Sequence, residues 1–373
     1  MSAGTTLAAV VREAGAPFEL RQVELGEPRG DELAVRVQAS GICHTDVSVA
    51  AGDFGMPFPL VVGHEGTGVV EAVGAAVEGV AVGDRVVLSF DWCGHCRNCA
   101  DGRPTYCYEN WPRNFGGGRL DGSTALALDG APVHSHFNGQ SSFAERLICP
   151  AHSAIRVDSE IPAALLAPLG CGVQTGAGAV LNALRPEARD GIAIFGLGAV
   201  GLSAVMGAAI VGCEVVVAVD PNPERRALAA DLGATLAVDP GAEDPVEAVR
   251  GIAPHGLQFS LEMSGIAAAL QQAISCLAPG GTCGLVGAPP VGTRFPLDVH
   301  EILSFGRRLQ GIVLGDSVPG RLLPELVGYW EEGRLPLERL VVTYPFGEID
   351  AAIEAARSGR VVKAVVEMES AGA

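Results

Sequence analysis

Positive charge is scarce in this sequence. Twenty-five Lys and Arg face 43 Asp and Glu over 373 residues, for a formal net charge of −18. No basic stripe is present to displace counterions from a phosphate backbone, so a nucleic acid is excluded as the expected partner. The same balance disfavours an anionic membrane surface. Long apolar runs are also missing: none approaches the ~20 residues that span a bilayer. Met1-Ser2-Ala3-Gly4-Thr5-Thr6 lacks the basic and apolar regions of a signal peptide, and the expected location is the cytoplasm. No repeat of solenoid or propeller period occurs. Charged residues, at 18%, are too few to suggest a disordered chain.

What the chain does have is length for two domains and many glycines. The 50 glycines fall at turns and inside short motifs, as in an α/β protein with tight strand-to-helix connections. The first ~150 residues read as short strands between Gly and Asp turns, among them Leu33 to Ala39, Gly68 to Gly74 and Asp84 to Leu88. Within them, Asp91 to about Val133 is Gly-rich and weakly periodic, which predicts a lobe followed by a loop. Beyond, strands alternate with helices: Gly191 to Phe195, an Ala-rich helix, Glu214 to Val219, then a helix from Pro223 to Leu232. That alternation predicts βαβ units and a parallel sheet. Gly281 to Gly287 fits a later strand of that sheet, and Val361 to Val366 fits a strand returning to the first domain.

Ten cysteines in a reducing compartment are expected to be metal ligands or buried thiols, not disulfides. Cys93, Cys96, Cys99 and Cys107 follow a C-x2-C-x2-C-x7-C spacing that suits a closed tetrahedral zinc site. An iron–sulfur cluster is the alternative, but the long last spacing and the absence of Pro after Cys107 favour zinc. Cys149, Cys213, Cys276 and Cys283 lie in apolar segments and read as core residues. A second set, Cys43, His64 and Cys171, is dispersed, and taken singly each residue is more simply a core side chain. Their neighbours say otherwise: Asp46 and Glu65 supply carboxylates beside the ligands, and Thr45 supplies a hydroxyl. Three such ligands leave one zinc position open for water or substrate.

Gly196-Leu197-Gly198-Ala199-Val200-Gly201 fits the G-x-G-x-x-G dinucleotide fingerprint between an apolar strand and a helix. Asp220 ends the next strand about 20 residues on, where an acid binds ribose hydroxyls and repels a 2′-phosphate. NAD is therefore the expected cofactor. A helix N-cap is the competing role for Asp220.

These motifs, together with Gly63-His64-Glu65-Gly66-Thr67-Gly68, Gly74 and Val77, resemble the zinc-dependent medium-chain alcohol dehydrogenases over essentially the whole chain. Asn114 to Gly117 and Phe137 to Ala144 are most similar to the aryl (benzyl) alcohol dehydrogenase branch. The resemblance implies an α/β fold: a GroES-like β-rich catalytic domain and a Rossmann domain with a doubly wound parallel sheet. The implied ranges are 1–170 for the catalytic domain, with the zinc lobe at about 91–110, 171–306 for the NAD-binding domain, and 307–373 returning to the first. It implies two zinc ions per subunit. Cys43, His64 and Cys171 would hold the catalytic ion, with Glu65 near the metal, Asp46 orienting His64 and Thr45 relaying the alcohol proton. His44 and Lys363 would contact the pyrophosphate, and Arg225 would flank the adenosine ribose. Phe54, Phe115 and Phe137 would line the substrate pocket, with core packing the competing role, for Phe137 above all. Many relatives carry a His five residues after the first Cys ligand, where this chain has Ser48.

The implied reaction is reversible oxidation of a primary aromatic or allylic alcohol to its aldehyde by a homodimer or homotetramer. Three alternatives stand beside it. A thiol-adduct formaldehyde dehydrogenase would need a cationic pocket, and no Arg or Lys cluster accompanies the ligands. A general aliphatic alcohol dehydrogenase would share all the motifs. A non-enzymatic nucleotide-binding relative would lack Cys43, His64 and Cys171 as a set.

Overall fold

In the computed structural model, which describes residues 4–290 and 292–368, the alternating stretch from Leu33 lies in the strand Glu32–Gly41. Leu33, Val35 and Val37 are buried and their neighbours are partly exposed, as a period of two on a one-sided sheet requires. The strand is central to a seven-stranded sheet. Glu65–Val73 runs antiparallel along one edge, while Arg146–Pro150 and Lys363–Glu367 share the other edge end to end. Arg85–Leu88 and Ala154–Arg156 extend the first side, and Val341–Pro345 pairs with Lys363–Glu367 on the second. A smaller sheet runs in the order Leu60–Val61, Gly4–Val11, Glu19–Leu25, Leu126–Leu128, Ala131–Val133. Val10, Leu60, Leu88, Phe137 and Phe143 are buried in one apolar cluster within this part.

Packing divides the chain into two units. The first comprises Met1–Cys171, Val318–Glu331 and Pro336–Ala373; the second comprises Gly172–Ser317 and Glu332–Leu335. Six parallel strands form the sheet of the second unit, in the order Leu236–Val238, Val215–Val219, Gly191–Phe195, Leu257–Glu262, Leu277–Leu285, Arg308–Gly311. In chain order that is 3-2-1-4-5-6, the doubly wound Rossmann arrangement. The sheet runs past residue 306, where the sequence suggested it would end, because Arg308–Gly311 adds the sixth strand.

The apolar pattern after Ile161 breaks where Pro168 and the glycines predict. Ala163–Leu166 gives way to a tight turn at Ala167–Gly170, and Cys171 sits in the break at φ −144, ψ −76. A helix resumes at Gly172–Gly178. No single helix among the described residues is long and apolar enough to cross a membrane.

The Gly-rich segment beyond Phe115 has little regular structure and is fastened by a buried ion pair. Arg119 donates to both oxygens of Glu32, at 2.6 and 2.8 Å, with side-chain exposures of 11% and 6%. Burial alone would raise the Glu32 carboxyl. Hydrogen bonds from Arg119 and the Arg29 N–H, with His136 3.8 Å away, outweigh it and hold the group well below the usual carboxylate range. A carboxylate depressed in the folded state stabilises above its unfolded pKa, about 4.3, and that stabilisation fades as pH falls towards the folded value. Glu32→Gln leaves the Arg119 charge buried and is expected to cost about 3 kcal/mol at pH 7. Urea unfolding of parent and variant should show the gap closing below about pH 4; a pH-independent gap contradicts the ion-pair account.

Candidate active site

Strand Glu32–Gly41 delivers Cys43 to the N-terminus of the short helix His44–Ala50. Asp46, in the helix's first turn and 1% exposed, organises what lies around it. One oxygen accepts from the Cys43 N–H at 2.8 Å. The other accepts from the Gly63 N–H at 3.1 Å and from His64 Nδ1 at 2.7 Å. Nδ1 therefore donates to that carboxylate, which leaves Nε2 as the ring nitrogen turned away from Asp46, and the negative neighbours Asp46 and Cys43 outweigh burial and raise the imidazole well above its ordinary range. The ligand atoms of Cys43, His64 and Cys171 lie within 4.8 Å of one another. A hydrogen bond from Cys171, with the positive influence of His64 and Lys363, outweighs burial and draws the Cys43 thiol well below its ordinary range. Two thiols and an imidazole whose far nitrogen is tied to a carboxylate are a donor set that fits zinc. Thr45 Oγ1 lies 3.8 Å from Cys43 Sγ. His44 is exposed at the start of the helix, and Ser48 is half-buried one turn on.

Glu65 follows His64 and has no exposure. Both its oxygens lie 2.9 Å from Lys363 Nζ, which also donates to the Ile42 carbonyl at 3.1 Å. Lys363 is the one lysine of the chain, and it is 4% exposed. Burial raises the Glu65 carboxyl. For Lys363, burial pulls the ammonium pKa down, but the Glu65 charge more than reverses it. A pyrophosphate contact was the expectation for Lys363; here its three N–H bonds are engaged by Glu65 and Ile42 instead. Sequence position alone could not reveal that pairing, since the partners are 298 residues apart.

The four thiols of Cys93, Cys96, Cys99 and Cys107 also gather within 4.8 Å. Cys99 Sγ lies 3.8 Å from Cys93 Sγ and 3.5 Å from Cys96 Sγ. A tetrahedron with metal–sulfur bonds of about 2.3 Å has edges of about 3.8 Å, so the thiols already stand at zinc spacing. Backbone N–H groups of Cys96, Cys93 and Glu109 point at sulfurs of the set, although burial outweighs them at Cys107 and raises that thiol, and burial likewise pushes Cys99 up to about 12. The Cys96 thiol is lowered to about 6, chiefly by backbone hydrogen bonding at Tyr108 and Cys99. The remaining cysteines are free of disulfides, and burial pushes Cys276 to about 12 and Cys283 to about 11.

Next to Cys107 the chain forms a helix, Asn110–Phe115, too short for its period to show in the sequence. It carries a row of aromatic rings towards His64. Phe54 stacks on Phe115 at 5.3 Å and 8°, Trp111 stacks on Phe115 at 4.7 Å, and Phe54 meets Trp111 at 6.2 Å. Phe115 then meets Phe137 edge to face at 5.7 Å, and Phe137 meets the His64 ring at 5.0 Å. Phe54 and Phe115 are half-buried and Trp111 is 56% exposed. Phe137 has no exposure and packs in the apolar core behind His64, the second of its two expected roles. The sequence reading overlooked Trp111; its signal was an aromatic four residues before Phe115, the helical spacing that brings rings together.

Sequence reasoning also missed how the loop after Phe137 works. His136, Asn138 and Ser141 all have positive φ, at 62, 47 and 64°, a conformation costing about 1 kcal/mol or more for each non-glycine residue. The loop is held by what it grips. Ser141 Oγ donates to the Val61 carbonyl at 2.7 Å, the Ser142 N–H donates to Gly63, and Gln140 Nε2 donates to the His64 carbonyl at 3.0 Å.

In the second unit, Gly196 turns the chain at φ 91°, and the helix Ala199–Val211 begins after Gly198, which is exposed. A Cβ on Gly201 would stand 1.8 Å from the Gly196 carbonyl oxygen, so the helix can only meet the turn this closely through glycine. Leu197 is buried, with Ala199 and Val200 partly exposed. Asp220 ends the strand Val215–Val219 and accepts from the Leu197 N–H at 2.7 Å and from the Asn222 N–H at 2.8 Å. The cap of the next helix is Asn222, not Asp220. Arg225 is half-buried beside Asp220, and burial lowers its pKa against that charge.

Two family patterns match. That of a zinc-binding dehydrogenase covers residues 199–327, and that of an alcohol dehydrogenase GroES-like domain covers 29–159. A geraniol dehydrogenase of Castellaniella defragrans is 44% identical over 96% of both chains. The crystal structure of a benzyl alcohol dehydrogenase from Acinetobacter calcoaceticus superposes with a TM-score of 0.95 at 40% identity, covering 98% of this chain and all of that one. A zinc-binding dehydrogenase of Sinorhizobium meliloti, solved bound to NADP, gives 0.81 at 27% identity over 98% and 99% of the two chains.

Two donor sets, one closed and one with an open position, should hold about two zinc ions per chain. Elemental analysis of chelator-washed protein checks this, and a value near one, or iron with sulfide, contradicts it. Cys43→Ser should lose one equivalent and stay folded, whereas Cys99→Ser should lose the other and melt at a lower temperature.

Proposed function

The chain belongs to the zinc-binding alcohol dehydrogenases, and from that premise we propose that it oxidises primary aromatic or allylic alcohols to aldehydes, reversibly, with NAD. The observation that carries the substrate class is the series of rings from Trp111 through Phe54, Phe115 and Phe137 to His64. Flat, unsaturated side chains gain roughly 0.5–1.5 kcal/mol beyond simple burial when they pack on such faces. The geraniol and benzyl alcohol dehydrogenases named above are described by one allylic and one aromatic alcohol, which supports the same class.

Cys43, His64 and Cys171 would hold the catalytic zinc, and Cys93, Cys96, Cys99 and Cys107 the structural one. The bound catalytic ion supplies Lewis acidity that lowers the pKa of an alcohol, and NAD supplies the hydride acceptor. The chain's own groups do the rest. Asp46 keeps His64 in the tautomer that leaves Nε2 unprotonated. Thr45 Oγ1, on the first turn of the helix and close to Cys43, accepts the proton of the substrate hydroxyl and passes it outward. Phe54 and Phe115 hold the substrate's apolar part and exclude water from it. In the second unit, the backbone after Gly196 and the start of helix Ala199–Val211 would receive the pyrophosphate. Asp220 would accept from the ribose hydroxyls, with Arg225 at the adenosine side and His44 at the pyrophosphate.

NADP is the second reading for the cofactor, favoured by the NADP-bound neighbour and by the nearness of Arg225 to Asp220. The carboxylate at 220 supports the NAD reading, because it would face a 2′-phosphate of the same sign. Asp220→Ser is expected to narrow the kcat/KM preference for NAD over NADP by about tenfold, or ~1.4 kcal/mol. Equal use of both cofactors by the parent removes that role.

Across a panel of alcohols, benzyl, cinnamyl and geranyl substrates should exceed ethanol in kcat/KM by at least about tenfold. Phe54→Ala should lower the aromatic and allylic rates more than the ethanol rate. A parent that prefers ethanol or a thiol–formaldehyde adduct refutes the substrate assignment and leaves the family membership intact.

A further inference from the structure

Along one edge of the strand that begins at Glu65, strand pairing stops short of His64. Arg85–Leu88 pairs with this strand only from Thr67 onward. The His64 carbonyl and the Gly66 amide lie two residues apart and so face the same edge, as alternate residues of a strand do. Both are satisfied by one side chain. Gln140 Nε2 donates to the His64 carbonyl at 3.0 Å, and Gln140 Oε1 accepts from the Gly66 N–H at 2.9 Å. The carboxamide thus does what a peptide group of an adjacent strand would do.

The far side of the gap belongs to the third member of the donor set. Gln140 Nε2 also lies 3.4 Å from the Ser89 carbonyl, and Ser89 Oγ donates to the carbonyl of Gly170 at 3.1 Å. Gly170 immediately precedes Cys171. Gln140 is therefore placed between the backbone that carries His64 and the segment that supports Cys171. It is 1% exposed, and a Cβ on Gly66 would stand 2.9 Å from its Oε1, so glycine at 66 admits the carboxamide. The loop that delivers it keeps three non-glycine residues at positive φ, a conformation that persists only when its surroundings impose it.

We propose that Gln140 is a positioning residue of the active site, setting the separation of His64 from Cys171 by bridging the split in the sheet between them. The inference rests on reading Cys43, His64 and Cys171 as metal ligands. Removing the bridge should relax the donor geometry without removing a donor, and groups that orient metal ligands typically change affinity or activity by about 10–100-fold.

The test replaces zinc with cobalt(II) in the full chain and records the visible d–d bands of parent, Gln140→Met and Gln140→Glu. The spectrum of Cys43→Ser, which keeps only the four-thiol site, is subtracted. Met keeps the bulk and removes all three hydrogen bonds. Glu keeps the acceptor for Gly66 and loses the donor to His64 and Ser89, and it serves alone should the Met variant not fold. The expected result is displaced or broadened d–d bands, loss of cobalt to a chelator about tenfold faster, and kcat about tenfold lower with KM for the alcohol unchanged. Superimposable bands and an unchanged kcat overturn the proposal even if the melting temperature falls, because a purely structural residue would affect stability alone. A parent that binds no cobalt beyond the four-thiol site overturns the ligand reading as well. Normal uptake with unaltered variants overturns only the role of Gln140.

Discussion

Asp46 accepts from three donors at once, the backbone of Cys43, the backbone of Gly63 and the ring of His64, and the active site is built outward from that carboxylate. A carboxylate this deeply buried is tolerable only when its lone pairs are used. Using them fixes the entry to a helix, the turn before a strand and the tautomer of an imidazole together. The short helix His44–Ala50 owes its position to the same contact, since its first turn carries the acid.

Charge is handled by two different means around that centre. Glu65 and Lys363 neutralise each other in full burial, and the pair joins a strand near the start of the chain to one near its end. Burying both ions costs desolvation, so their value lies in fixing register as much as in stability. The four-thiol lobe has little apolar material of its own and relies on backbone N–H groups directed at sulfur. The helix Asn110–Phe115 continues directly from that lobe. An element with no catalytic group therefore holds Phe115, proposed to face the substrate, and the Trp111 ring stacked on it.

Much of this was legible in the sequence because it rests on local rules. The strand at Leu33 shows period-two alternation, the G-x-G-x-x-G turn is flanked by an apolar strand and a helix, and the four-cysteine spacing allows few other uses. Cys43, His64 and Cys171 were drawn together by the carboxylates and hydroxyl beside them and then by resemblance, since no spacing rule joins residues so far apart. Hidden features depend on tertiary contact. Phe137 carries the same letter as Phe54, yet one is sealed behind His64 and the other is half-exposed, a difference that burial alone decides. Gln140 looks like an ordinary loop residue until the pairing with Arg85–Leu88 is seen to stop at Thr67, short of His64 and Gly66. Asp220 was ambiguous between ribose acceptor and helix cap, and Asn222 occupies the cap.

The burial of Lys363 has a practical corollary for the chemistry of the whole surface. Every other basic side chain that is permanently charged is an arginine, so the folded exterior offers amine-selective reagents no lysine to attack. Acylating dyes, aldehyde crosslinkers and amine-coupling supports would find no exposed lysine to couple to. A protease selective for lysine has one internal bond to cut, and that bond lies in a buried strand. Cleavage there reports that the C-terminal strand has left its sheet, a reading obtained without adding any probe to the molecule.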